Sequence, residues 1–414
     1  MLDFIKNNQK GFVASLVTFL VLLSMLSLAT SMTGIIINRH KIAENVIKST
    51  QAYYTAEAGI EDSISHLKRS PQTVASSYSL NVGDSAANIE ISEIVGGSRT
   101  IISQGNYDNR IKKVRAVYTI TASGTSFHYG VQVGEGGMQM SNNSRVIGNV
   151  FSDGNITGSG IIDDNVIVAG NNRIDGLTVG GDALVYRCED STIEGNLIYV
   201  IGGGVQNCSV SGETSTQDDP IPIQPMPISE SQIQEWKDDA SVEIITGNVS
   251  ILNGQTSSMG PVKIVGSLTV ANNAIVKLTG TIYVTGNIFV SNGSTIRLDS
   301  SYGSFSGVIL SDGQISVGNN SVFTGSGQSG SYLLVLSTNS SGYAISVNNN
   351  AAGAIFYTTS GGILLSNNVS VREVTGYKVI LNNNAVVQYD SGLENTFFSS
   401  GPGGGWKITN WKEE

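Results

Sequence analysis

Few side chains in this chain of 414 residues could carry catalysis. Asp163, Asp164 and Asp182 form the one cluster of carboxylates of the kind that performs acid–base work in polysaccharide-cleaving enzymes. Such sites also need a base or a metal. The three histidines all precede this cluster: His40, His66 and His128. The sequence contains no G-x-S-x-G, Walker or H-E-x-x-H motif. We therefore predict no catalytic residue, no metal site and no cofactor.

The two cysteines, Cys188 and Cys208, lie 20 residues apart in a region of repeated short strands and turns. No histidine lies near them, which argues against a metal site. The gap is close to one coil of a β-solenoid, and adjacent coils lie about 4.8 Å apart. A disulfide needs Cα atoms about 4.4–6.8 Å apart. We therefore predict a Cys188–Cys208 disulfide between neighbouring coils.

These residues follow a long apolar segment near the N-terminus. Gly11 to Asn38 contains no charged residue, and Lys10 and Arg39 flank it. At about 1.5 Å per residue, such a helix crosses a hydrocarbon core of about 30 Å. We predict a transmembrane half over residues 12–37. A cleaved secretory signal, ending near Ala29, is the alternative.

The helical pattern continues beyond the apolar segment as an amphipathic stretch. Its apolar residues recur at spacings of three, four and seven: Ile42, Val46, Tyr53, Ala56, Ile60, Ile64 and Leu67. Pro71 is expected to end the helix. One helix over residues 12–70 is therefore predicted, with its second half packed against a domain of its own chain.

Residues 5–70 resemble the N-terminal domain of PilX-type minor pilins. The resemblance rests on Lys10-Gly11-Phe12, the apolar segment and the run Ala52-Tyr53-Tyr54-Thr55-Ala56-Glu57-Ala58-Gly59-Ile60-Glu61-Asp62. Within that run, Ala56, Glu57, Ala58, Gly59 and Glu61 carry the family motif.

The resemblance implies processing by a prepilin peptidase. The enzyme would remove a leader of residues 1–11 by cutting between Gly11 and Phe12, and the new N-terminal Phe12 would be methylated. Most pilins carry Glu at the fifth mature position, where this chain has Leu16. That difference favours a role in initiation or at the tip over a role in the main shaft.

The composition indicates a mostly β protein after the helix. Charged residues make up 14% of the chain, and 49 residues are Gly, which together with the many β-branched residues favours strands joined by tight turns. Alternating segments near residues 78–82, 88–94, 99–104 and 112–120 predict a small antiparallel β region over residues 71–135. In pilins such a meander packs on the amphipathic helix half.

Asn-rich turns recur from residue 136 onwards, at gaps of about 16 to 30 residues or multiples of that. Several precede an apolar pair, as in Asn273-Ala274-Ile275 and Asn384-Ala385-Val386. This pattern predicts a parallel β-solenoid over residues 136–400, with on the order of ten coils and stacked Asn ladders. A β-sandwich is the alternative fold. The predicted fold class is thus mainly β, comprising a long N-terminal α-helix, a small antiparallel meander and a parallel β-solenoid.

Two segments depart from the solenoid pattern. The first, over residues 213–242, contains four prolines and then a helix near residues 230–240 capped by Ser229. It is expected to lie along the solenoid and shield a flank, or to dock a partner peptide. Residues 401–414 contain Trp406 and Trp411, and we expect them to cap the solenoid or to form an adhesive tip.

The net charge restricts the possible partners. Residues 119–414 carry 11 basic and 24 acidic residues, a balance of −13, which argues against nucleic acid as a partner. The expected partners are other pilins through the N-terminal helix, prepilin peptidase and the membrane, together with a surface glycan or protein ligand.

These features predict a non-enzymatic, pilin-like structural protein of a type IV pilus-like system. It would be a single-pass protein of the inner or cytoplasmic membrane with an extracytoplasmic body, displayed on the cell surface or pilus. A surface adhesin that uses the helix only as an anchor is the first alternative. A β-helical carbohydrate-active enzyme is the second.

Overall fold

The N-terminus of the protein forms one long helix in the computed structural model, which describes residues 2–69, 76–92, 98–120, 122–399 and 406–413. This helix, α1, spans Leu2–Arg69. Hydroxyl groups in its apolar part donate to carbonyls one turn back, for example Ser15 Oγ to Phe12 O at 2.9 Å, so these polar groups need no partner in lipid. The expected helix-ending residue, Pro71, lies outside the described residues.

A small antiparallel sheet follows the helix. Its first strands are β1 (Ser77–Val82), β2 (Ser85–Ile91), β3 (Ser98–Tyr107) and β4 (Arg110–Ile120). They pair in sequence order, as expected for a meander. The strand predicted near residues 88–94 begins earlier, because Val82 pairs with Ser85 across a two-residue turn in which Gly83 has φ +60°. Its predicted end at Ile94 lies outside the described residues.

A short strand, β5 (Ala122–Thr125), leads into the first half of the solenoid. The strands of this half are β6 (Val131–Met140), β7 (Arg145–Ile147), β8 (Val150–Ser152), β9 (Ile156–Gly158), β10 (Ile161–Ile162), β11 (Val166–Val168), β12 (Arg173–Asp175), β13 (Thr178–Val179), β14 (Ala183–Glu189), β15 (Thr192–Ile193), β16 (Leu197–Gln206), β17 (Ser209–Val210) and β18 (Thr214–Gln217). The solenoid thus begins at Val131, before the predicted boundary at 136. Its strand β18 occupies residues that we had assigned to the insertion starting at 213.

The helix α2 (Glu230–Ala240) separates this half from the second. The strands of the second half are β19 (Ile244–Thr246), β20 (Val249–Ile251), β21 (Thr256–Met259), β22 (Val262–Val265), β23 (Leu268–Val270), β24 (Ile275–Leu278), β25 (Ile282–Val284), β26 (Ile288–Val290), β27 (Thr295–Leu298), β28 (Gly307–Ser311), β29 (Ile315–Val317), β30 (Val322–Thr324), β31 (Leu333–Ser337), β32 (Ile345–Val347), β33 (Ala352–Thr358), β34 (Gly362–Leu365), β35 (Ser370–Leu381) and β36 (Val386–Gln388). Two 3-10 helices, Ser300–Tyr302 and Ser391–Asn395, interrupt it.

The two halves form one parallel β-solenoid with three sides. Strands of one side stack in the order β19, β22, β25, β28, β31, β33, β35, β6, β8, β11, β14, β16 and β18, and every pairing in this series is parallel. The predicted fold class is therefore confirmed, and the β-sandwich alternative is wrong. Buried aliphatic side chains from both halves fill the interior as one cluster.

The coils do not stack in chain order, a feature that the sequence pattern did not indicate. The last coil of the second half packs on the first coil of the first half, because β35 pairs with β6 and β36 pairs with β7. The chain therefore enters and leaves the solenoid in its middle. The outer ends of the stack are β18 and the coil formed by β19, β20 and β21.

Asn-rich turns form one continuous column on the solenoid surface. Several of these Asn residues have positive φ: Asn143, Asn273, Asn320, Asn350, Asn368 and Asn384. The contacts that join successive turns include backbone bonds, such as Asn384 N to Asn142 O at 3.4 Å, and side chain-to-backbone bonds, such as Asn319 N to Asn292 Oδ1 at 2.8 Å. Asn therefore serves these turns in two ways: its backbone adopts the left-handed conformation, and its side-chain oxygen accepts hydrogen bonds from the backbone of the next coil. We had expected ladders of bonds between Asn side chains.

The segment between the halves lies along one side of the solenoid. Ile228, Ile233 and Trp236 are buried against outward-facing residues of β25, β28, β31 and β33. Ile221 is buried in the same way against outward-facing residues of the first half. The insertion therefore shields apolar surface on one side of both halves.

The C-terminus returns to the small sheet, which corrects the prediction that it caps the solenoid. Strand β37 (Thr396–Ser399) pairs with β5, and β38 (Trp406–Glu413) pairs with β4 in antiparallel fashion. The sheet thereby gains a fifth strand that covers the otherwise open edge of β4. Residues 401–405 of the predicted cap lie outside the described residues.

Candidate functional site

The candidate site is the face of α1 that packs on the small sheet, because the residues that carry the family resemblance lie there. Ala52, Ala56, Ile60, Ile64 and Leu67 are buried along one stripe of the helix. The sheet residues that meet this stripe are Ala87, Ile89, Ile91, Ile101, Val114, Ala116 and Tyr118. The spacing of three and four residues that predicted the amphipathic half thus positions the helix.

Two glycines set how closely the helix approaches the sheet. A Cβ atom at Gly59 would lie 2.3 Å from Ser103 Oγ and 3.1 Å from Ala87 Cβ. One at Gly105, on β3, would lie 2.1 Å from the backbone oxygen of Ala52. Since real Cβ atoms do not come this close to other atoms, only glycine fits at both positions without a shift. Gly59 of the motif therefore has a packing role.

The other motif residues lie around the edge of this packed face. Ala56 is buried, Glu57 and Ala58 are half-buried, and Glu61 is exposed. Neither glutamate makes an ion pair or hydrogen bond within the part of the chain that the structure describes. The two carboxylates, four residues apart, are therefore available to a neighbouring molecule.

Polar contacts fix the helix at both ends of the packed stripe. At the membrane-proximal end, Lys48 Nζ lies 2.6 Å from Asp108 Oδ2, and this hydrogen bond raises the pKa of the lysine. At the other end, the hydroxyl of Tyr78 donates to Asp62 Oδ2 at 2.8 Å and lies 3.0 Å from Ser63 Oγ. Burial raises the pKa of Tyr78 to about 12, and the bond to Asp62 adds to that effect. Sequence reasoning missed these contacts, since no local pattern links residues on the helix to residues on the sheet.

The N-terminal half of α1 is exposed, and Asn45 near its end accepts a hydrogen bond from Arg110 Nη2 of β4 at 2.6 Å. Side chains from Phe12 to Ile47 are all exposed, and Phe12 is 70% exposed. A segment near the N-terminus is long and apolar enough to cross a membrane. Ile42 and Val46, which we had expected to pack against the body, are 62% and 59% exposed, because side chains of the helix become buried against the sheet only beyond Ile47. At the predicted cleavage position, Gly11 lies within the helix.

The structure joins Cys188 and Cys208 in a disulfide, with Cα atoms 6.3 Å apart. The two residues do not stack directly. Cys188 pairs with Val205 of the next coil, and Cys208 follows three residues later, in the turn before β17. The bridge therefore runs diagonally between neighbouring coils near the outer end of the first half.

Two of the three carboxylates that could have suggested catalysis, Asp163 and Asp182, have structural partners. Arg145 donates Nε and Nη2 to Asp163 at 2.8–3.0 Å, across adjacent coils. Asp182 Oδ1 accepts from the backbone nitrogen of Asn196 at 2.7 Å. Within the described residues no group of three or more His, Cys, Asp or Glu side chains could hold a metal ion.

This chain has low similarity to known proteins. No family model matches the chain, and no curated protein matches it. Among solved structures, the competence-associated pilin ComZ from Thermus thermophilus aligns over 89% of this chain and 98% of its own, with 10% identity and a TM-score of 0.30. An ice binding protein from an Antarctic bacterium of the Flavobacteriaceae aligns over 63% of this chain and 81% of its own, with 10% identity and a TM-score of 0.22.

Proposed function

We propose that this protein is a membrane-anchored, pilin-like structural subunit with no enzymatic activity. Before assembly, the apolar half of α1 lies in the membrane and the solenoid lies outside the cytoplasm. After processing by a prepilin peptidase, the same half-helix packs among the helices of other pilins in a type IV pilus-like filament. This assignment agrees with the resemblance of residues 5–70 to PilX-type minor pilins.

One observation carries the proposal: α1 has one part packed on the sheet and one part that is exposed. Residues 48–67 bury one stripe on the sheet, whereas the side chains from Phe12 to Ile47 are exposed and mostly apolar. At about 1.5 Å per residue the free part extends about 54 Å, which exceeds the thickness of a hydrocarbon core. A surface of this kind needs lipid or other helices around it.

We assign the protein to the tip or to initiation of the filament. Leu16 replaces the glutamate that most pilins use to meet the terminal amine of a neighbouring subunit, so the chain lacks one contact of a repeating shaft. The solenoid, with thirteen stacked strands on one of its sides, also adds bulk that would crowd a regular packing of subunits.

The first experiment tests processing at Gly11. The native protein, isolated from its membrane, should yield a mature N-terminus at Phe12 by mass spectrometry, and Gly11→Val should leave a precursor of full length. A mature chain that starts near Met32 would instead reveal removal of an ordinary signal peptide and overturn the pilin assignment.

The second experiment tests the packing of the helix on the small sheet. Ile60 is completely buried, so Ile60→Asp should lower the free energy of unfolding of the small sheet by at least about 3 kcal/mol. Val46→Asp, on the exposed part of the same helix, is the matched control and should have little effect. Equal thermal melting of the two variants in detergent would contradict the packing on which the proposal depends.

A surface adhesin that uses the helix only as an anchor is the second candidate. It is favoured by a polar groove on the second half of the solenoid, lined by Lys277, Arg297 and Arg372. The two candidates differ in one measurable respect: only the pilin would co-purify with sheared filaments.

A further inference from the structure

The net negative charge of the solenoid lies in its first half. Residues 131–217 contain three basic and ten acidic residues, a balance of −7. Residues 244–399 contain five of each, a balance of zero. The second half of the solenoid is therefore electrically neutral, although the solenoid as a whole is negatively charged.

The acidic side chains of the second half are largely occupied within the chain. Glu373 is completely buried. Asp312 accepts hydrogen bonds from Lys237, Tyr283 and Thr338. Asp299 and Asp390 each accept from a backbone nitrogen two residues on, at 3.0 Å. Asp299 and Asp390 keep their charge and line the same cavities as the basic residues, so three cations face two carboxylates there.

Three basic residues project from one side of the second half. Lys277 and Arg297 are direct neighbours on β24 and β27, and Arg372 lies on β35 of the same side. None of the three makes an ion pair or hydrogen bond within the described chain. Two like charges side by side are unfavourable, and Asp299 is the one carboxylate that lines the same cavity. The excess positive charge indicates a site for an external anion.

A groove connects these cations. Lys277, Arg297, Thr324 and Ser326 line a cavity of about 330 Å³. Arg372, Tyr332 and Asp390 line a second cavity of about 200 Å³. Both cavities are bounded by Thr324 and Gly325, so they meet there.

Glycine forms the floor of this groove. A Cβ atom at Gly353 would lie 1.8 Å from Phe323 O, and one at Gly325 would lie 2.0 Å from Ser331 O. Backbone is packed on backbone at these positions, which leaves an open channel between the flanking side chains. From Lys277 to Arg372 the channel crosses four coil steps, or about 19 Å.

The lining fits an acidic oligosaccharide. Hydroxyl groups of Ser300, Thr324, Ser326 and Ser331 can pair with sugar hydroxyls, and the ring of Tyr332 offers one flat apolar surface. The cations suit carboxylates borne on separate sugar units. We propose that this groove binds a carboxylate-bearing oligosaccharide. The acidic first half would repel a long polyanion such as DNA, and this binding does not depend on filament assembly.

The test measures binding to the full chain in detergent micelles by isothermal titration calorimetry. The probes are a hexasaccharide of galacturonic acid and a hyaluronate hexasaccharide, with the methyl ester of the first as the uncharged control. At least one acidic probe should bind, and the ester should bind at least about tenfold more weakly, since hydrogen bonds between charged groups are lost.

Variants locate the site. Lys277→Gln with Arg297→Gln, and separately Arg372→Gln, should each weaken binding about tenfold. Lys378→Gln removes one positive charge outside the groove and should change the affinity less than about twofold. The two groove variants alter opposite ends, so a folding defect in one, detected by circular dichroism, still leaves the other informative.

Four outcomes would overturn the proposal. These are no binding of either acidic probe, equal binding of the ester, affinities that the groove variants leave unchanged, and tighter binding of a short DNA duplex than of both acidic probes. The last result would identify the groove as a nucleic-acid site.

Discussion

Glu373 lies completely buried where the two halves of the solenoid meet. It is on β35, which stacks directly on β6. Thr375 donates to its Oε1 at 2.5 Å, while Oε2 has no hydrogen-bond partner. Burial raises the pKa of this carboxyl well above its usual value, although the bond from Thr375 opposes the shift. Burial therefore favours the protonated form of this residue in the folded chain.

Glu373→Gln should stabilise the protein at neutral pH and have little effect at pH 4. The folded pKa is raised, so the contribution of Glu373 is fully present below its unfolded pKa of about 4.3 and is lost as the pH rises towards the folded value. A glutamine side chain has nearly the same shape as glutamate but does not ionise. The melting temperature of Glu373→Gln should therefore exceed that of the native protein by an amount that grows from pH 4 to pH 7. The difference should be about 2–4 °C for each kcal/mol gained in the free energy of unfolding. A gap independent of pH would show that Glu373 is not the titrating group.

The disulfide should contribute stability without being needed for the fold. Closing a loop of about 20 residues stabilises by roughly 3 kcal/mol in the chain-entropy model. Reduction should lower the melting temperature and preserve the β signal in circular dichroism, because backbone pairing already joins the coils of Cys188 and Cys208. Titration of thiols in denatured, non-reduced protein should find none. Two thiols per chain would show that the native protein lacks the bridge.

At the scale of secondary structure, α1 and the small sheet form one packed unit that places the free half-helix. The five-stranded sheet includes β38 from the opposite end of the chain. Helix and sheet approach so closely because Gly59 and Gly105 have no side chain at the contact. The packing therefore depends on small residues as much as on apolar ones.

Gly59→Ala should destabilise this unit by about 1–3 kcal/mol through overpacking. The same substitution at Gly34, on the exposed part of α1, meets no atom within 4 Å and should stabilise the helix by about 0.5–1 kcal/mol. The two variants share the same gain in helix propensity, so the difference in their melting temperatures isolates the contact. If Gly59→Ala melted no lower than Gly34→Ala, the helix would not lie this close to the sheet.

At the scale of the whole molecule, both connections to the solenoid lie at its middle. Entry at Val131 and exit after Gln388 are brought together by the pairings of β6 with β35 and of β7 with β36. The segment that leads into the solenoid contains β5, the segment that leaves it contains β37, and these two strands pair with each other. The solenoid is thus held to the small sheet by two segments, and its two ends are formed by internal coils.

Hydrogen exchange should reveal this order of coils. Amides of β18 and β19 should exchange fastest among the solenoid strands, because each lies in an outermost coil with a neighbour on one side only. Those of β35 and β6 should be among the slowest. Mass spectrometry of peptides after timed labelling measures both sets. Fast exchange at β35 and β6 would mean that the two halves separate, contrary to a continuous stack.

Local physical chemistry allowed much of this protein to be predicted from sequence. The apolar run after Gly11 and the spacing of Ala56, Ile60 and Leu67 identify one long helix with two different halves, since helix periodicity is a short-range property. Asn-rich turns before apolar pairs identify the solenoid for a similar reason: each coil repeats the same requirement for a left-handed turn and an inward side chain. The prediction of the Cys188–Cys208 pair needed only coil spacing.

Only the tertiary structure decided which coils are neighbours, where the C-terminus goes and which basic residues share a groove. Coil 370–388 stacks on coil 131–147 although more than two hundred residues separate them. The coils have similar sequence patterns, so the sequence does not indicate the order in which they stack. The strand that contains Trp411 pairs with the edge of β4, although the same sequence could equally well pair with the end of the solenoid. Such choices depend on long-range backbone pairing and on surfaces that exist only once the chain has folded.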